Sequence, residues 1–316
     1  MTTTLPEEGT RGPVWRLPLP AHYRAQDMLA FHARDREALA EQVGPASLRK
    51  GLWWQDRPVC VQMVFSADEV QVRWEMDGGD ADLAAQEGLP LLRRMLGLTQ
   101  DIAAFEARWD ADPLLGAVLR AQTGLRVAVV GTPFEALAWA IMGQQISVAA
   151  AVALRRRLIL AADLRHASGL YCHPQAAQVL ALGPERLRAA GLSLAKAQSL
   201  LAVSQAQLAG ELPLAAWAAQ PVVPAEQISQ ALLAIKGIGP WTVSYTLLRG
   251  FGWLDGSLHG DVAVRRGIQR LLADQGLAGP DALLTPAQAQ AWLAPFAPWR
   301  ALLGAHLWAM QGRRTD

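Results

Sequence analysis

Residues 228 to 261 hold the side chains best suited to chemistry. Ile228, Leu232 and Ile235 recur at i, i+4 and i+7, the spacing of one apolar helix face, and Gly237-Ile238-Gly239 then stops that helix before Pro240 opens another. Glycines let the backbone reverse tightly and leave the first amides of the second helix bare, so those amides and the positive end of the helix dipole can hold a phosphate. The same pattern also fits an ordinary corner between two helices. Trp241 and Tyr245, at i and i+4, share a helix face, where they pack a core or wall a pocket. Asp261 stands just before Val262-Ala263-Val264-Arg265-Arg266, an expected helix start. There it can cap the helix, and as a fixed carboxylate it can also stabilise a developing positive charge or activate a water.

The elements that must position these residues fall into two parts. The chain has 316 residues, about two domains' worth, and 52% apolar content is ample for a core. The strand signals are clear only over 59 to 76, as VCVQMVF, a polar Ser66-Ala67-Asp68-Glu69 link, then VQVRWEM, which predicts a hairpin. Helical stretches flank it near 25 to 42 and 80 to 96. Residues 1–105 are therefore expected to form a small α+β domain, and 106–316 a helical array broken at Gly/Pro sites such as Gly131-Thr132-Pro133, Gly183-Pro184, Gly210 and Gly279-Pro280. The expected fold class is α+β, mostly helical.

Net charge is +1, so only its distribution is informative: residues 66 to 112 hold eleven acids and four bases, while 236 to 270 hold Lys236, Arg249, Arg265, Arg266 and Arg270 against Asp255 and Asp261. A polyanion is expected to meet the C-terminal part, although the same arginines also suit solvated helix faces. Two cysteines, Cys60 and Cys172, exclude a disulfide framework, a cysteine-rich zinc site and a four-cysteine cluster. The six histidines show no ligand spacing, so no catalytic metal is expected. The opening MTTTLPEEGTRGPVW lacks a signal-peptide layout, and the apolar stretch from Ala136 to Leu154 is broken by Gly143-Gln144-Gln145. A soluble, cytoplasmic protein without a membrane partner is expected. Twelve tryptophans, more than phenylalanine and tyrosine together, suggest aromatic surfaces with a role beyond packing.

Ile-Lys-Gly-Ile-Gly-Pro-Trp-Thr-Val at 235 to 243, followed by Gly260-Asp261, resembles the helix-hairpin-helix DNA glycosylases. The likeness extends over Phe134-Glu135-Ala136-Leu137, Ile141-Met142-Gly143-Gln144-Gln145-Ile146-Ser147, Ala190-Gly191-Leu192-Ser193 with Lys196-Ala197, and Pro298-Trp299-Arg300 through His306-Leu307-Trp308. Within that superfamily it is most similar to the 3-methyladenine glycosylase II branch, although Leu258-His259-Gly260 replaces the proline common before the aspartate. The resemblance implies a two-lobed helical domain with its hairpin at about 228–249, and Asp261 as the catalytic carboxylate at an oxocarbenium-like sugar. Members that also cut the strand carry a lysine where Trp241 stands, so the resemblance implies a monofunctional hydrolase. It places Trp308 across a base pocket from Trp241 and Tyr245, faces that suit the formal positive charge of an N3- or N7-alkylated purine. Gln145 matches the residue that fills the stack vacated by the flipped base.

DNA contact is expected from the hairpin at Gly237 and Gly239, with Lys236 and Arg249 beside it. The resemblance further implies a structural Na+ or K+ at the backbone carbonyls of Leu233, Ile235 and Ile238, and no organic cofactor. The partner is then double-stranded DNA carrying damaged bases, met by a monomer. Two other readings remain: a helix-hairpin-helix glycosylase for a mismatched or oxidised base, and a non-catalytic DNA-binding protein.

Overall fold

The computed structural model of the protein describes residues 12–78, 81–277, 279 and 283–312. Most of the opening segment, on which the expectation of no leader rests, lies outside the described residues, as does Pro280 of the Gly279-Pro280 break.

Five antiparallel strands form one sheet in the order β1-β5-β4-β3-β2, with β1 Val14–Pro18, β2 Glu41–Gly44, β3 Ser47–Trp54, β4 Arg57–Phe65 and β5 Glu69–Met76. The expected hairpin is β4–β5, with Val61 opposite Trp74 and Met63 opposite Val72, all fully buried. β1, β2 and β3 were not expected. β3 buries Leu48, Lys50 and Leu52 at alternate positions, and a lysine in that row disguises the period of two. The helix expected over 25 to 42 stops early: α1 is Ala25–His32, the chain reverses at Ala38 with φ +50, and Glu41 then enters the sheet. α2, Ala81–Met95, packs Leu91, Leu92 and Met95 against the sheet.

The helical part has two cores. α5 (Pro133–Gly143), α6 (Val148–Ala162), α7 (Ala176–Ala189), α8 (Leu194–Leu208), α9 (Leu214–Ala218), α10 (Ala225–Leu233) and α11 (Pro240–Thr246) surround one, centred on Leu137, Leu200, Ile228 and Val243. The other joins α3 (Ile102–Trp109) and α4 (Gly116–Ala121) to α12 (Val262–Asp274), α13 (Pro286–Leu293) and α14 (Arg300–Gly312). Ile102 and Phe105, which the expected boundary assigns to the N-terminal unit, pack in this second core. Side-chain caps fix several starts: Thr132 accepts from Glu135 N, and Ser147 from Ala150 N. Among the described residues, no helix is long and apolar enough to cross a membrane.

The sheet is bolted to the helices by buried charge. Lys50 Nζ bonds Glu41 Oε1 at 2.6 Å and Glu135 Oε1 at 2.9 Å, and Arg155 Nη2 reaches the same two oxygens at 2.6 and 2.8 Å. Burial alone would raise both carboxyls, but Arg155 and Lys50 outweigh it and hold them well below the usual carboxylate range. Beside this set burial keeps His32 and His173 neutral, lowering them to about 3 and about 4. Gly51 completes the junction, since a Cβ there would stand 2.0 Å from the carbonyl oxygen of Tyr171.

Candidate active site

Asp261 is the N-cap of α12, its Oδ1 accepting from Val264 N at 3.0 Å. The structural reading of this aspartate is therefore correct, and it does not exclude the chemical one, because two indoles also converge on the carboxylate. Trp241 Nε1 donates to Oδ2 at 3.0 Å and Trp308 Nε1 to Oδ1 at 3.3 Å. An indole N–H only donates, so both oxygens are fixed as acceptors. Tyr245 stands between the two, 5.3 Å from the Trp241 ring and 6.4 Å from that of Trp308. α11, the loop before α12 and α14 thus bring together the four residues singled out for carboxylate and pocket.

These residues line a cleft of about 630 Å³. Other lining residues escaped the sequence reading: Phe31 and Arg34 from the N-terminal unit, Trp139 from α5, and Ile146 after it. Phe31 and Trp139 also line a recess that runs from Tyr245 back to Glu41, Glu135 and Arg155. Nothing local in sequence joins Phe31 to Trp308. A tryptophan one turn before Gly143 was the one available cue.

Arg249 stands on the cleft and not at the surface of the hairpin. Expected to contact DNA beside the hairpin, it is 7% exposed, because a π-helical turn over Leu247–Phe251 follows α11 and carries its side chain inside. Its guanidinium donates to the Ala128 carbonyl at 2.8 Å and lies 4.5 Å over Phe31 and 5.4 Å over Trp308. Burial pushes it down to about 10, with Tyr245 opposing the shift and Arg34 adding to it, so it stays cationic at neutral pH. The expected basic stripe thins accordingly: Arg265 donates to the Leu284 carbonyl and Arg270 to that of Met310. The bases on the cleft are Arg24, Arg34, Arg126 and Arg249, three of them from outside the basic stretch 236–270.

The hairpin between α10 and α11 has the expected form. Gly237 takes φ +90, and a Cβ there would lie 2.1 Å from Ser199 Oγ, whereas one at Gly239 meets nothing within 4 Å. Lys236 is exposed and its carbonyl accepts from Ser199 Oγ. The Ile235 carbonyl accepts from Ile238 N at 3.1 Å, which leaves it a second lone pair. Gln144 Nε2 ties the preceding loop to the hairpin through the Gly237 carbonyl (2.9 Å) and Thr242 Oγ1 (3.0 Å). Next to it Gln145 is exposed at φ +57, displayed at the loop tip beside exposed Ile146. His259 is bonded to Ser257 and points to no described group of the carboxylate cluster. Away from the cleft, Cys60, Glu75 and His166 bring ligand-type atoms within 4.8 Å of one another, but His166 is already bonded to Ser168 and paired with Asp77.

The model of the HhH-GPD superfamily of base excision DNA repair proteins matches residues 138–294, a span that contains the hairpin and Asp261. The chain belongs to this superfamily. It is 31% identical over 206 residues to DNA-3-methyladenine glycosylase 2 of Escherichia coli, covering 64% of this chain and 66% of that one. Its identity to DNA-3-methyladenine glycosylase of Bacillus subtilis is 30%, over 52% of this chain and 54% of the relative. The matched stretch is thus just under two thirds of the first relative and about half of the second. The fold is similar to that of 3-methyladenine DNA-glycosylase from Archaeoglobus fulgidus, with a TM-score of 0.77, 23% identity and coverage of 93% and 97% of the two chains.

Proposed function

We propose that this protein is a monofunctional DNA glycosylase that releases alkylated purines from double-stranded DNA by hydrolysing the N-glycosidic bond. The observation that carries the reading is Asp261, held at the wall of an aromatic cleft by two indole N–H groups and a helix amide, with a tryptophan where a Schiff-base amine would be required. Duplex DNA docks on the hairpin, where the amides after Gly237 and exposed Lys236 meet backbone phosphates without reading bases. Gln145 enters the stack as the damaged nucleotide swings into the cleft. Charge builds on the sugar as the base departs; the Asp261 carboxylate stabilises it and orients the attacking water. An alkylated purine is already a good leaving group, so no strong general acid is needed. The carbonyls of Leu233, Ile235 and Ile238 would hold a structural Na+ or K+, which adds positive charge beside the phosphates. The protein acts as a monomer in the cytoplasm.

Single-turnover base release from a methylated duplex, run beside an 8-oxoguanine duplex and with borohydride present, tests this. Release of methylated base with no trapped adduct is expected. A covalent adduct would end the monofunctional reading, and release from the oxidised duplex alone would reassign the lesion.

A further inference from the structure

Aromatic faces attract cations, but in this cleft a cation of the protein is already on them. The Arg249 guanidinium stands over both Phe31 and Trp308, and Arg34 lies 4.4 Å over the same Phe31 ring. Both arginines line the cleft with Asp261, and among the described residues neither has an ion pair. Arg249 reaches this position through the π turn at Leu247–Phe251, a departure from α geometry of the kind that recurs at functional sites. Its backbone is locked there too, since Val130 N donates to its carbonyl at 2.9 Å.

We propose that Arg249, seconded by Arg34, sets the charge preference of the base pocket by favouring neutral bases that present a carbonyl acceptor over bases with a formal positive charge. The proposal deepens the glycosylase reading and rests on it. Arg249 takes up the attraction that the Phe31 and Trp308 faces would offer a cationic base, and its own charge repels one. A neutral 6-oxopurine offers its carbonyl to the guanidinium donor without that repulsion, whereas 7-methylguanine offers the same carbonyl against it. Cationic lesions are then processed because their glycosidic bond is weak, and not because the pocket prefers their charge.

Rates of excision of 7-methylguanine and hypoxanthine from otherwise identical duplexes supply the first test, read as their ratio. Arg249→Met should raise the cationic-to-neutral ratio by about tenfold or more, the scale of a unit charge several ångströms away at an effective dielectric of about 20. Arg249→Lys should keep the wild-type ratio, and Arg34→Ala should shift it in the same direction by less. An unchanged or lowered ratio in folded Arg249→Met overturns the proposal. The second test needs no variant: tryptophan quenching of the wild-type protein by 9-methylguanine and by 7,9-dimethylguaninium, the same ring without and with charge. Tighter binding of the neutral compound is expected, and tighter binding of the cation overturns the proposal even if Arg249→Met fails to fold. Absence of excision by the wild-type protein from every duplex would instead refute the glycosylase reading, while the quenching comparison would still report on the pocket's charge preference.

Discussion

Where the sheet meets the helices, Lys50 and Arg155 are each bonded to both Glu41 and Glu135. Across the wall made by Phe31, Trp139 and Tyr245, Asp261 is held by neutral N–H donors and Arg249 by a carbonyl and two aromatic faces. The first cluster is two positive and two negative groups that cancel one another, an arrangement that fixes how two units dock and leaves nothing to offer a ligand. In the second, each charge is oriented without being neutralised. Desolvated charge of that kind costs stability and is retained where something else is to meet it.

The largest effect is expected at Glu135. Glu135→Ala leaves two buried cations, Lys50 and Arg155, with the single carboxylate of Glu41 between them and should cost about 3–5 kcal/mol, read as a lower urea midpoint, whereas charged-to-neutral changes at the cleft should cost far less. The cluster also sets acid sensitivity. Glu41 and Glu135 have depressed folded values, so their contribution is present above the ordinary carboxylate range and is lost as pH falls through and below it. His32 and His173, lowered to about 3 and about 4, stay neutral when folded but take up protons when unfolded below their ordinary value of 6.5. Stability should therefore already decline from about pH 6.5 downward, and His32→Gln should flatten that first part of a Tm-against-pH curve.

Asp261→Asn addresses the other cluster. Its oxygen can still cap α12, so the fold should persist, while base release slows by at least ~10²-fold, the low end for a positioned acid–base group. Normal activity in this variant would remove the carboxylate from the chemistry.

Residues whose environment is local were legible in the sequence, and those whose environment is distant were not. Trp241 and Tyr245 are placed on one face by helix spacing after a glycine hairpin and Asp261 at a helix start, while the chemical role of Asp261 and the place of the distant Trp308 came from the family resemblance alone. Lys50 hides β3 because its partners lie in β2 and α5. Arg249 looked like a surface charge, since nothing in Leu247 to Phe251 announces a π turn, and its Phe31 neighbour belongs to the opposite end of the chain.

The two hairpin glycines sharpen the contrast between holding a fold and meeting a ligand. Gly239→Asp meets open space at φ −109, so the free protein should be as stable as wild type, yet its carboxylate at the start of α11 should weaken binding to any duplex by about tenfold. Gly237→Ala should lower stability, since its φ of +90 and the nearby Ser199 Oγ leave no room for a methyl group. Fluorescence anisotropy at several salt concentrations, with a parallel melt, separates them. Normal DNA binding by Gly239→Asp would make the hairpin a fold element only.

The smallest effect belongs to the indole donors. Trp241→Phe keeps a ring against Tyr245 but removes the N–H at 3.0 Å from Asp261 Oδ2, and a hydrogen bond worth about 1 kcal/mol net corresponds to roughly fivefold in rate. Trp308→Phe removes a longer bond, 3.3 Å to Oδ1, an oxygen that Val264 N also holds, so its effect should be weaker still. The two changes act through one carboxylate. If orientation of that carboxylate is what the indoles supply, each should slow the wild-type enzyme and neither should slow Asp261→Asn much further, a non-additivity that single-turnover rates of the double variants measure directly. Full additivity on the Asn background would mean that the two tryptophans serve the base and not Asp261, leaving the helix cap as the carboxylate's only effective constraint.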